Sequence, residues 1–143
     1  MAEPAASVLD VRDLKTVFRT RGGEIHAVND VSFHLKPGEL LGVVGESGSG
    51  KSVTMMSLLR LLPSPPADIC GGKALLNGQD LLAMSDDQLR AVRGAKVGFV
   101  FQDPMTSLNP VFTLGNQIME PLIKHLKMSK SQAETRAVEL LDL

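Results

Sequence analysis

Apolar residues in this chain come in short bursts separated by glycine, proline and small polar residues. In residues 7–18, Val8, Val11, Leu14 and Val17 stand among polar neighbours. The period is ambiguous, but β-branched content and short length predict a strand. Arg19-Thr20-Arg21-Gly22-Gly23-Glu24 reads as a turn, and residues 25–35, with Val28, Val31, Phe33 and Leu35 apolar, read as the antiparallel return. Lys36-Pro37-Gly38-Glu39 turns the chain again. The run Leu40-Leu41-Gly42-Val43-Val44 then predicts a buried strand. It leads through a glycine-rich turn into a helix that starts near Lys51, runs to Leu62 and is stopped by Pro63-Ser64-Pro65-Pro66.

The second half continues in the same manner. Residues 71–78 read as a short strand ending in a turn. Ser85-Asp86-Asp87-Gln88 matches a capping box with two acids in the first helical turn, which predicts a helix over about 86–92. Val97-Gly98-Phe99-Val100-Phe101 predicts a second buried strand, with Gln102 at its end and a loop over 103–110. Thr113 is placed to cap a helix whose apolar face is Leu114, Ile118, Leu122 and Leu126, with Pro121 as a kink or restart. Ser131-Gln132-Ala133-Glu134 reads as a capping box for a last helix with Ala133, Ala137, Leu140 and Leu141 on its apolar face, and no C-terminal cap follows. No internal repeat is visible.

Composition narrows the function classes. The 143 residues are near the size of one domain, and 43% hydrophobic content is ordinary for a folded soluble protein. The net charge of −1, the lack of a Lys/Arg cluster and the absence of Trp and Tyr give nucleic-acid binding no support. The longest apolar runs fall far short of the ~18 residues that span a bilayer. Met1-Ala2-Glu3-Pro4-Ala5-Ala6 lacks the basic-then-apolar order of a secretory signal. The lone Cys70 has no internal partner, which fits a reducing compartment and a bystander role.

The sharpest chemistry lies in Gly45-Glu46-Ser47-Gly48-Ser49-Gly50-Lys51-Ser52, the G-x-x-x-x-G-K-[ST] pattern between a predicted strand and a helix start. Glycines admit backbone angles that side chains forbid, so successive N–H groups can point inward as an anion nest. The helix adds its positive N-terminal end. Lys51 is expected to reach the β- and γ-phosphates, and the Ser52 hydroxyl to ligate Mg²⁺. The motif alone says nucleoside triphosphate, and kinases, GTPases, helicases and transport ATPases all remain open.

Phe99-Val100-Phe101-Gln102-Asp103-Pro104-Met105-Thr106-Ser107-Leu108-Asn109-Pro110, about fifty residues after Lys51, closely resembles the Q-loop of ABC-transporter ATPases. This wording, the spelling of residues 45–52, Ala27-Val28-Asn29-Asp30-Val31-Ser32-Phe33 and Lys36-Pro37-Gly38-Glu39 are similar to the oligopeptide/dipeptide-importer branch. The resemblance covers nearly the whole chain. It implies an α/β fold: a P-loop NTPase core (39–102) behind an N-terminal antiparallel β layer (7–38), with the Q-loop and the start of a helical subdomain (103–143), truncated there.

The resemblance also implies roles. ATP and Mg²⁺ are the expected ligands, cradled by Gly45, Glu46, Ser47, Gly48, Ser49, Gly50, Lys51 and Ser52. Lys51 and Gln102 are the expected catalytic groups, and Ser52 and Gln102 the Mg²⁺ contacts. A glutamine amide can orient water or Mg²⁺ near the γ-phosphate without carrying charge, and at a strand–loop hinge it can report that phosphate; read in isolation, Gln102 is a polar strand end. Phe18 lies where the family stacks an aromatic ring on adenine, and a core aromatic is the competing reading. Val53 departs from many relatives, which have Thr there. The implied partners are transmembrane permease subunits through the Q-loop region, a second ATPase subunit, and a solute-binding protein indirectly. The implied place is the cytoplasmic face of the cell membrane, as a peripheral subunit.

The family's Leu-Ser-Gly-Gly-Gln signature, an apolar strand ending in Asp-Glu, and a histidine following it are not found in these residues. His26, His34 and His125 read as surface or packing histidines. The chain therefore reads as the first half of an ATPase domain, expected to bind ATP weakly at most and not to turn it over alone. Three functions stand: an ATPase subunit of a peptide importer, or of an importer for another small solute such as nickel; a nucleotide-binding fragment without turnover; or another P-loop enzyme. The GTPase base-reading Asn-Lys-x-Asp is absent.

Overall fold

A computed structural model describes residues 7–103 and 107–142 and divides into two units, Met1–Leu89 and Arg90–Leu143. In the first unit, β1 (Leu9–Thr20) and β2 (Gly23–Leu35) form the expected antiparallel hairpin. The Thr20 hydroxyl donates to the Gly23 carbonyl at 2.9 Å across its tight turn. β3 (Ala67–Leu76) pairs antiparallel with the other edge of β1, and β4 (Gln79–Asp80) returns on β3, giving the order β2-β1-β3-β4. The β3–β4 turn is Asn77-Gly78, both at positive φ, the pairing that matches strand twist in a two-residue hairpin. The strand expected over 71–78 thus starts earlier, and it joins the antiparallel layer.

Val11, Leu14, Val17, Val28, Ala67, Ala74 and Leu76 of the sheet are buried, as are Leu58, Leu59, Leu81 and Leu89. α1 (Lys51–Leu58) is shorter than expected. It does not wait for the prolines. Arg60 adopts φ 49°, and its N–H bonds Ser57 O at 3.0 Å while Leu61 N–H bonds Met56 O at 2.9 Å. That pair of bonds closes the helix as a Schellman motif, with arginine where glycine is usual. The Arg60 guanidinium donates to Met84 O at 2.7 Å and pairs with Asp86, so tertiary tethers hold the unusual backbone. α2 (Asp86–Val92) begins with the predicted capping box: Gln88 N–H donates to Ser85 Oγ at 3.3 Å, and Ser85 N–H to Gln88 Oε1 at 2.9 Å.

In the second unit, α3 (Leu114–Leu126) is capped by Thr113 as expected, its hydroxyl accepting from Asn116 N–H at 3.3 Å. It runs through Pro121 without a break in assignment. Ile118 and Leu122 are half-buried, whereas Leu114 and Leu126 are exposed. α4 (Lys130–Leu141) corrects the expected start: the cap is Ser129, and Gln132 completes the box. Both Ser129 and Ser131 have a Gln or Glu three residues on, and the earlier pair adds about half a turn of helix. Ala133 and Ala137 are buried, Leu140 and Leu141 are exposed, and Asp142 caps the end through its N–H on Val138 O at 3.1 Å.

Two expected strands do not form. Residues 40–44 make no ladder, and Leu40 is 96% and Val44 92% exposed. In residues 97–101, Val97 makes a single parallel bridge with Arg93, and Val100 is 95% exposed. An all-apolar run becomes a buried strand only between neighbours that satisfy its N–H and C=O groups and cover both faces. Among the described residues no strand pairs with 40–44.

Candidate functional site

The glycine-rich turn sits directly ahead of α1. Gly50 is the N-cap residue at φ 89°, and no side chain caps this end. Its carbonyl accepts from Thr54 N–H at 2.8 Å and Thr54 Oγ1 at 2.9 Å, so the first turn closes on the glycine itself. Gly50 has a second requirement. A Cβ there would stand 2.5 Å from Ala27 O of β2, so the loop can pass the sheet at this level only without a side chain.

Lys51 folds back over the loop. Its ammonium donates to Gly45 O at 2.7 Å, Glu46 O at 2.6 Å and Ser49 Oγ at 3.3 Å. Ser49 N–H bonds Glu46 O at 3.2 Å, which tightens the turn beneath it. The positive charge is thereby held at the mouth of the loop. It stands beside a helix N-terminus with no acid in its first turn, an end whose dipole favours an anion. Ser47, Gly48 and Ser49 are exposed along the turn, and Ser52 is exposed on the first turn of α1. The structure thus folds residues 45–52 into one compact turn around the Lys51 ammonium.

Phe18 lies two residues from the end of β1, half-buried, with Ile25 of β2 and Ala67 of β3 as cross-strand partners. Gln102 belongs to the second unit, exposed, just after the packed rings of Phe99 and Phe101, whose centroids are 4.7 Å apart. The stretch Pro104-Met105-Thr106 of the Q-loop-like segment lies outside the described residues.

Sequence reading missed Thr16, Ala27, Thr54 and Ser57. Thr16 and Ser57 are fully buried and hydrogen-bonded to each other at 2.8 Å, tying α1 to β1. The available signal was weak: Thr54 and Ser57 are the polar members of an otherwise apolar helix after Ser52.

The donors fit a polyphosphate with its cation. The turn offers a fixed ammonium, backbone dipoles and, at Ser52, a hard oxygen of the kind Mg²⁺ takes. Among the described residues no cluster of three His, Cys, Asp or Glu could hold a metal by itself. No helix of the described residues is long and apolar enough to cross a membrane.

Comparison with known proteins agrees with this geometry. The model of the ABC transporter family matches residues 28–142. The oligopeptide transport ATP-binding protein OppD of Bacillus subtilis is 52% identical over 136 residues, which is 95% of this chain and 38% of that protein. The dipeptide transport ATP-binding protein DppD of the same organism is 46% identical over 136 residues, 95% of this chain and 41% of its own length. The chain thus spans about two fifths of the length of these relatives. Among solved structures, a dimeric post-hydrolysis state of the ATP-binding cassette MJ0796 bound to ADP and Pi is similar with a TM-score of 0.78 and 27% identity, over 94% of this chain and 56% of that one.

Proposed function

This chain belongs to the ABC transporter family, and from that premise we propose that it is the nucleotide-binding part of an ATPase subunit that energises peptide import. The observation that carries the reading is the Lys51 ammonium, held by Gly45 O and Glu46 O at the mouth of a loop that opens a helix with no side-chain cap.

In this reading, backbone N–H groups of residues 45–52 hold the β- and γ-phosphates of ATP, and Lys51 exchanges part of its carbonyl contacts for phosphate oxygens. The exchange is favourable because a charge-assisted bond to an anion is stronger than one to a neutral carbonyl. Ser52 would hold Mg²⁺, which would neutralise charge on the phosphates. Phe18 offers a ring face to adenine, an interaction worth about 1–3 kcal/mol and tolerant of base identity. The loop that carries Gln102 docks on transmembrane permease subunits, and a second ATPase subunit pairs with this one; the similar cassette MJ0796 is dimeric with ADP and Pi bound. The subunit then works peripherally at the cytoplasmic face of the membrane, fed indirectly by a solute-binding protein.

The peptide assignment follows the relatives, an oligopeptide and a dipeptide transport ATP-binding protein. Another small solute is the second reading, because the groups described here face a nucleotide and not a cargo. By themselves the 143 residues supply the phosphate cradle, and we expect binding without turnover.

The test is equilibrium titration of the chain with a fluorescent ATP analogue and Mg²⁺. We expect saturable binding that falls at least about tenfold, roughly 1.4 kcal/mol, in Lys51→Ala, with no phosphate release by either form. Binding that is indifferent to Lys51→Ala would overturn the site. Phosphate release by the wild-type chain that disappears in Lys51→Ala would overturn the no-turnover statement.

A further inference from the structure

The phosphate-loop helix meets the sheet at two points, a close approach and a hydrogen bond, and irregularities in the sheet accompany both. Between the pairs Thr16 with Val28 and Val17 with His26, β2 carries one extra residue, Ala27. Between the pairs Lys15 with Gly71 and Thr16 with Ile69, β3 carries one extra residue, Cys70. Both neighbours of β1 therefore bulge at the level of Thr16, and bulges re-aim the groups around them. Ala27 turns its carbonyl to the Cα of Gly50, at the head of α1. Thr16 meets Ser57, at the foot of α1.

The second contact has a direction. Thr16 Oγ1 and Ser57 Oγ are 2.8 Å apart, and both residues are fully buried. The single hydroxyl proton of Ser57 goes to Val53 O at 2.7 Å. Thr16 must therefore be the donor to Ser57. The relay runs from β1 through Ser57 to the carbonyl of Val53, in the first turn of α1 and next to Ser52. On β1, Thr16 stands two residues before Phe18.

We propose that Thr16 and Ser57 are a positioning pair: they set α1 against β1, and so set the span between a base held at Phe18 and phosphates held at residues 45–52. The pair touches neither base nor phosphate. It acts through the helix that carries Lys51 and Ser52 and through the strand that carries Phe18. The inference rests on the nucleotide reading of the loop.

The experiment compares two ligands on the full chain: ATP, which must satisfy both ends of the span, and inorganic tripolyphosphate, which engages only the loop. Thr16→Val keeps the shape and removes the donor. We expect it to weaken ATP about tenfold, the scale of one buried hydrogen bond, while tripolyphosphate affinity stays unchanged. Thr16→Ser restores ATP binding. If Thr16→Val fails to fold by circular dichroism, Ser57→Ala carries the same comparison. Parallel weakening of both ligands, or unchanged ATP affinity in a folded variant, overturns the proposal and leaves a packing contact. A wild-type chain that binds neither ligand, or whose tripolyphosphate binding survives Lys51→Ala, overturns the nucleotide reading, and the proposal falls with it. Tripolyphosphate bound as tightly as ATP by the wild type removes the base contact at Phe18, and the proposal again.

Discussion

Gly50 and Ala27 approach so closely that a Cβ on Gly50 would lie 2.5 Å from the Ala27 carbonyl oxygen. Gly50 also sits at φ 89°, where side-chain-bearing residues are strained. One glycine therefore answers to two constraints: the turn that presents the loop, and the bulged strand that the loop must clear.

Gly50→Ala meets both constraints at once. The backbone strain alone is about 1–3 kcal/mol, and Ala27 O belongs to backbone that cannot swing aside. We expect a fall in denaturant midpoint of that order, together with weaker nucleotide binding as the loop is pushed from the sheet. A variant with unchanged midpoint and unchanged affinity would show that the contact is not kept in solution.

The exposed apolar run at residues 40–44 makes the opposite kind of prediction. Leu40 is 96% exposed, so Leu40→Lys in this chain removes no packing. The expected change in unfolding free energy is within about 0.5 kcal/mol, with reduced self-association in sedimentation, since exposed apolar strand-like segments invite pairing. A loss of several kcal/mol would mean that the segment is packed as a strand in solution.

Asp10 carries a pH signature. Its carboxylate accepts from Arg12 Nε at 3.0 Å. This hydrogen bond lowers its pKa below the ordinary value against the opposing effect of desolvation, with smaller help from the charges of Arg12 and His34. A depressed carboxyl contributes stability above its unfolded pKa and loses it as pH falls through the folded value. Titration by NMR is expected to place the Asp10 midpoint below that of an ordinary aspartate, and Arg12→Ala to move it upward. In that variant the stability curve flattens on the acid side. An Asp10 midpoint indifferent to Arg12→Ala would discount the pair.

The parts of the fold legible in the sequence are those whose hydrogen bonds close within a few residues. Thr113 on Asn116, and Ser85 with Gln88, form wherever the local chain turns helical. The tight turn between β1 and β2 needs only its own residues. Where two local solutions compete, as with Ser129 and Ser131, the pattern pointed to Ser131 and the helix is capped by Ser129. The end of α1 was misread because proline is a visible stop. The actual stop, a left-handed Arg60, depends on Met84 and Asp86, more than twenty residues away.

The same division holds at the site. Residues 45–52 carry their chemistry in their spelling, since glycine freedom, a lysine charge and a helix start are properties of consecutive residues. The sequence by itself therefore determined where the phosphate-loop motif lies and which family the motifs resemble. Tertiary structure alone decided what the loop leans on. Thr16 reads as one polar residue in a strand, and Ala27 as a small apolar one. Their roles come from extra residues in neighbouring strands, a register mismatch between segments far apart in the chain. Tertiary structure also decided that 40–44 and 97–101 are not ladder strands, because an apolar run states what it can bury but not which strands stand beside it.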